Sequence, residues 1–296
     1  MTEQAVAAVP RRESSVLRFA KGLALIRESW VGMVGLVLVL FWVFVAIFAP
    51  LLAPFPPNAT GAPLTLPGGP SLDGSAVHWL GTDQLGRDIL SRIIFGSRQV
   101  LLYAPLATLC AYLVGIPMGL AAGYRRGLTD DVLSFVANVI LSFPVLVLYI
   151  IIIATIGASG TNIVIAVTFA SAPGIMRIVR GLVLDLRNRE YVFAAETRGE
   201  SPWRIMLVEI LPNARGPLIV DACLRLGYVV ITIGTLGFLG LGLPPPDPDW
   251  GGMVSENRQV AMFLPYIAIF PCIAISSLVL GFNLLADGLR EVSLRD

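Results

Sequence analysis

Charge-free apolar stretches recur along this 296-residue chain, each ended by charged or turn-forming residues. Trp30 to Pro54 holds no charge and exceeds the roughly 20 residues that a membrane-spanning helix needs. Val100 to Tyr124 is a second such run, stopped by Arg125 and Arg126. Val132 to Met176 gives 45 residues without a charge. As one helix it would measure about 68 Å, over twice the hydrocarbon thickness, so it must be two spans. The break falls at the turn-forming residues Gly157 to Asn162, and Pro144 is placed to kink the earlier of the two. Leu226 to Pro246 and Gln259 to Ala286 supply a fifth and a sixth run. The pattern predicts an all-α membrane protein with six transmembrane helices, near residues 31–50, 100–124, 132–156, 163–179, 220–243 and 262–286. Residues 1–29 form a basic segment with one apolar face, suited to an interfacial helix, and 291–296 a short tail.

The polar interruptions differ in character. Residues 51–99 open with Pro and Gly in abundance and no helical period, which predicts a loop. Asp83, Arg87, Asp88 and Arg92 are placed there to form an ion-pair network, read as a rigid cap on the membrane domain ahead of a solute contact. Asn188 to Asn213, within a loop spanning 180–215, reads instead as a helix-turn-helix between spans four and five. Tyr191, Ala194, Ala195 and Arg198 recur at helical spacing, and Gly199 follows as a residue able to close the helix in the left-handed conformation. Ser201 is a cap and Pro202 a first helical residue. Trp203, Met206, Leu207 and Ile210 then form an apolar stripe, and Leu211-Pro212 is expected to end the helix. An amphipathic pair of this kind can also lie on lipid or pack on its own protein. Asp221 and Arg225, at i and i+4 near the start of the fifth span, read as an interfacial structural ion pair, with gating as the alternative role.

Basic residues set the expected orientation. Sixteen fall on the segments sharing a side with the termini and the 180–215 loop, against four on the alternate loops. The positive-inside rule therefore places both termini and that loop in the cytoplasm and 51–99 outside. Composition agrees with a polytopic membrane protein, at 56% hydrophobic and 14% charged, and the scattered basic residues form no nucleic-acid patch. Cys110, Cys223 and Cys272 lie in or beside apolar runs as packing residues. His78 is the sole histidine, so a multi-histidine metal site is excluded. The sole lysine, Lys21, belongs to no G-x-x-x-x-G-K-[ST] phosphate loop, so the chain cannot hydrolyse ATP by that route. The predicted spans also lack a central proton relay, which disfavours an ion-driven carrier, and no catalytic dyad is apparent. No catalytic, cofactor or metal residue is assigned.

Ala194, Ala195, Gly199, Leu211 and Pro212 fall on the spacing of the cytoplasmic loop of binding-protein-dependent ABC importer permeases, Glu-Ala-Ala, three residues, Gly, nine residues, Ile-x-Leu-Pro. Phe193 stands at the Glu position and Glu209 at the Ile position. HWLGTDQLGRDILSRIIFGSRQ from His78, GFLGLGLPPP with DWG, and FNLLADGLR resemble the second permease subunit of the dipeptide, oligopeptide and nickel family. The resemblance covers nearly all of Trp30 to Arg290 and implies a transmembrane permease domain over 30–290 of a bacterial inner-membrane importer. It further implies a heterodimer with a related permease, two ATPase subunits that bind ATP and Mg, and an extracytoplasmic binding protein that delivers the solute. The docking loop for the ATPases would comprise Phe193, Ala194, Ala195, Gly199, Trp203, Met206, Leu207, Ile210, Leu211 and Pro212. Family substrates include peptides, nickel chelates, glutathione and opine-like conjugates. The competing reading is a self-contained channel or carrier whose loop rests on lipid.

Overall fold

The computed structural model of the protein describes residues 29–293, so the interfacial helix expected in 1–29 and the last residues of the tail lie outside it. Helix α1, Trp30–Ile47, is capped by Ser29, whose hydroxyl accepts from the Gly32 N–H, and the one-turn α2, Ala49–Leu52, follows. The loop beyond holds a small hairpin, β1 Gly69–Pro70 antiparallel to β2 Val77–His78. Helix α3, Ile89–Arg125, begins ahead of the charge-free run because the Asp88 carboxylate accepts from the Ser91 N–H and caps it there. Its 37 residues are about 55 Å long, so it projects beyond a hydrocarbon layer of about 30 Å. Helices α4, Leu128–Leu141, and α5, Val145–Ile156, are bent by 87° across Ser142–Pro144. Pro144 supplies no N–H and disfavours helical geometry at Phe143, which accounts for the break. Then come α6, Gly160–Leu186, α7, Glu190–Thr197, α8, Pro202–Phe238, α9, Trp250–Glu256, and α10, Tyr266–Ser293. Among the described residues five helices are long and apolar enough to span a membrane, or six if the bent pair α4–α5 is one broken span and not a re-entrant loop.

Leu211-Pro212 does not end a helix, contrary to its expected role. Residues Ile205–Ile210 are wound as a π turn, in which the Leu211 N–H reaches back to the Met206 carbonyl. In a regular ladder the ring of Pro212 would meet the carbonyl four residues earlier, and the wider turn relieves that clash while absorbing the missing donor. The second helix of the polar loop and the fifth span are consequently one continuous rod, Pro202–Phe238.

Packing within the bundle relies on small residues, as expected where lipid tails remove the hydrophobic drive between helices. Gly115, Gly119 and Gly123 form an i, i+4, i+8 stripe on α3 facing Ile175, Val179 and Val183 of the parallel α6. A Cβ on Gly119 would lie 2.5 Å from the Cβ of Val179, so the helices touch backbone to side chain. Two large clusters of buried side chains result. One joins α1, α3, α6, α8, α9 and α10 toward the hairpin end. The other joins α3, α6 and α8 to α7 at the opposite end.

Candidate functional site

Helix α7 ends in a double turn that the sequence specifies residue by residue. Gly199 adopts φ +74°, its N–H bonds to the Glu196 carbonyl at 2.9 Å, and the Glu200 N–H bonds to the Ala195 carbonyl at 3.2 Å. These two bonds satisfy carbonyls that the helix end leaves unpaired. Ser201 then accepts from the Arg204 N–H, and Pro202 occupies the first turn of α8. The turn is tied down by Glu200, which pairs with Arg198 at 2.8 Å and Arg204 at 3.4 Å. Its placement against the bundle comes from α3: Tyr124 donates to Glu196 at 2.9 Å, and the Arg125 guanidinium lies 5.3 Å from the Trp203 ring centre. Arg187, the residue that closes α6, donates to the Tyr124 carbonyl at 3.0 Å.

The helix pair divides the residues named for docking. Met206 and Ile210 are 0% exposed and, with Ala195, pack into the cluster that joins α7 to α3 and α6. Leu211 is half-buried beside them. Phe193, Trp203 and Leu207 are 52%, 48% and 51% exposed, and Ala194, Gly199 and Pro212 are also exposed. The apolar stripe read from the sequence is thus two surfaces. One fastens the motif to its own protein, and the other is an open apolar knob at the end of the bundle.

Asp221 and Arg225 do pair, with Arg225 Nε donating to Asp221 Oδ2 at 2.7 Å, but deeper than the span-start position expected for them. Because α8 is continuous from Pro202, both lie near the middle of its Leu211–Phe238 portion. The Tyr112 hydroxyl of α3 donates to the same carboxylate oxygen, and the Arg225 guanidinium lies against Gly174 of α6. Tyr112 and Gly174 carried no sequence signal for this contact, which is set by helix packing.

The profile of the binding-protein-dependent transport system inner membrane component matches residues 115–295, and that of the N-terminal membrane domain of oligopeptide transport permease C matches residues 25–67. The chain belongs to this family of inner-membrane permeases. It is 38% identical over 266 residues to the dipeptide transport system permease protein DppC of Alkalihalophilus pseudofirmus, covering 90% of this chain and 86% of that one. It is 41% identical over 217 residues to the glutathione transport system permease protein GsiD of Pectobacterium atrosepticum, covering 73% and 72%. A chain from inward-facing conformations of the MetNI methionine ABC transporter shares the fold, with a TM-score of 0.56 and 20% identity, covering 69% of this permease and 96% of that chain.

The other end of the permease accounts for the remaining sequence motifs. Asp249 accepts from the Gly251 and Gly252 N–H groups, both at 3.2 Å, and so caps α9. Trp250 is fully buried, donates to the Ile93 carbonyl at 2.9 Å, and meets Trp42 edge-on at 4.9 Å. Burial pushes the Asp249 carboxyl up to about 6. The expected charge network around Asp83 is present in altered form. Arg87 binds Asp83 at 2.6 Å and also Glu256 of α9, while Asp88 pairs with His78 at 2.8 Å. Burial opposes the Arg87 charge, yet Glu256 and Asp83 outweigh it and hold the guanidinium above its usual value. Glu256 was not legible as a member, since it lies 169 positions from Arg87.

Proposed function

We propose that this permease forms half of the translocation path of an ATP-driven importer for peptide-like solutes in a bacterial inner membrane, pairing with a second, related permease. Two ATPase subunits bind beneath it on the side of α7, and an extracytoplasmic binding protein docks at the hairpin end. Similarity to dipeptide and glutathione permeases supports the solute class. The basic-residue distribution supports cytoplasmic termini and a cytoplasmic α7. The observation that carries the reading is the rod Pro202–Phe238: its first turns display Trp203 and Leu207 while the same helix crosses the bundle. A partner that moves the knob moves a span with it. Nickel-chelate or opine import by the same machinery is the alternative solute assignment, and it leaves the mechanism unchanged.

The knob is tested by charge. Phe193→Asp with Leu207→Asp alters exposed side chains, so the permease is expected to insert and to keep its thermal stability, yet to lose the co-expressed ATPase subunits on purification. Full ATPase recovery and transport by this variant would show that the knob rests on lipid.

A further inference from the structure

Resting on the importer reading above, we propose that one polar stripe of α8 lines the translocation path and that Arg225 contacts the free carboxylate of the transported solute there. Asp221, Arg225, Tyr228, Thr232 and Thr235 fall at i, i+4, i+7, i+11 and i+14. This spacing keeps them on one face of a helix. Between Asp221 and Thr235 the other positions hold only Ala, Cys, Leu, Gly, Val and Ile, so the polar groups are confined to that face. Its level is fixed by three helices. Arg225 lies against Gly174, 12 residues from the α6 end at Leu186, and its partner Asp221 accepts from Tyr112, 13 residues from the α3 end at Arg125. At 1.5 Å per residue these are about 18 and 20 Å from the helix ends, well inside the bundle. A guanidinium at that depth is costly against lipid tails and belongs beside water or a polar partner. Arg225 and Asp221 keep 20% and 19% of their side-chain surface open.

The geometry leaves a specific part of the guanidinium available. Asp221 takes Nε, and the two terminal nitrogens face the Cα of Gly174, where a Cβ would sit 3.6 and 3.5 Å from Nη1 and Nη2. The glycine lets the guanidinium lie close to α6, and the terminal nitrogens make no hydrogen bond among the described residues. Two parallel N–H groups in one plane match a carboxylate bidentately. Asp221 and Tyr112 hold the guanidinium in orientation and balance its charge when no solute is present.

The test uses the complete transporter in proteoliposomes, with a peptide carried as free acid and as its C-terminal amide. Each variant is compared with wild type for the same peptide, so preference by the binding protein cancels. Asp221→Asn with Arg225→Gln removes both charges together and is expected to slow the acid about tenfold more than it slows the amide. Equal slowing of both, or of neither, would overturn the proposal. A second measurement does not depend on ATPases or solute. In a chain lacking native cysteines and carrying Asp221→Asn, which leaves Arg225 unbalanced, Tyr228→Cys is expected to react with impermeant thiosulfonates, the anionic reagent about threefold faster than the cationic one. Adding Arg225→Gln should erase that preference. Absence of reaction would place the stripe against lipid, and reaction without charge preference would remove Arg225 from the path. If this preference holds while ATP-driven uptake fails, the importer reading falls and the water-lined cationic site stands.

Discussion

Gly199→Val isolates the turn between α7 and α8 as the determinant of how the exposed knob is presented. No atom lies within 4 Å of the position a Cβ would take, so a side chain there meets no steric obstacle. The whole cost comes from holding a β-branched residue at φ +74°, about 1–2 kcal/mol. That strain shifts the balance between the native turn and its alternatives about 5- to 30-fold. Relaxing it breaks the Gly199 and Glu200 N–H bonds to Glu196 and Ala195, and frees Phe193 on α7 from its register with Trp203 and Leu207 on α8. Gly199→Asn is the control, because asparagine tolerates the left-handed region. The assay is recovery of ATPase subunits with the tagged permease, together with solute-stimulated ATP hydrolysis. Valine should lose both while the protein still inserts, and asparagine should retain most of each. Wild-type recovery with valine, or equal losses with valine and asparagine, would refute the argument.

Gly119→Ala should lower the thermal stability of the detergent-solubilised protein by about 1–3 kcal/mol, since its Cβ would lie 2.5 Å from that of Val179, whereas Gly181→Ala, which has open space, should be close to neutral. Asp249 gives a pH dependence of defined sign. Its carboxyl sits at 3.8 when unfolded and about 6 when folded, so the native state favours the protonated form and stability falls as pH rises between those values, by on the order of 3 kcal/mol. Melting curves should show Asp249→Asn flattening that slope, and an unchanged slope would assign it to other groups. Orientation is read by labelling in intact cells: a cysteine at the exposed Ser75 should react with an impermeant reagent and one at the exposed Asn188 should not, with the reverse pattern inverting the topology.

The charge-free runs located the membrane helices because hydrocarbon tolerates only internally bonded, apolar segments, and that constraint is written directly in composition. Pro144 marked the bend, and Gly199, Ser201 and Pro202 marked the turn, since each acts through its own backbone. Pro212 misled because its effect depends on whether the preceding turn can widen, and Ile205–Ile210 does. Met206 and Ile210 could not be separated from Leu207 by periodicity alone: a stripe shows that a face is apolar, whereas α3 and α6 decide which part of it they cover. Arg225 was assigned to an interface because its helix was expected to start at residue 220, and the continuous rod moves the same residue to the middle of a helix. Tyr112, Gly174 and Glu256 joined their sites only through contacts distant in sequence.

The most direct measurement of the central claim is solute uptake into proteoliposomes holding this permease, its partner permease and the ATPases, with ATP inside or outside the vesicle and the binding protein on the opposite face. Accumulation of a labelled peptide against its gradient, only when ATP is on the side that bears α7 and the binding protein is on the side that bears the hairpin, is the predicted result. Uptake that proceeds without ATP and stops at equal concentrations would show a channel or passive carrier instead.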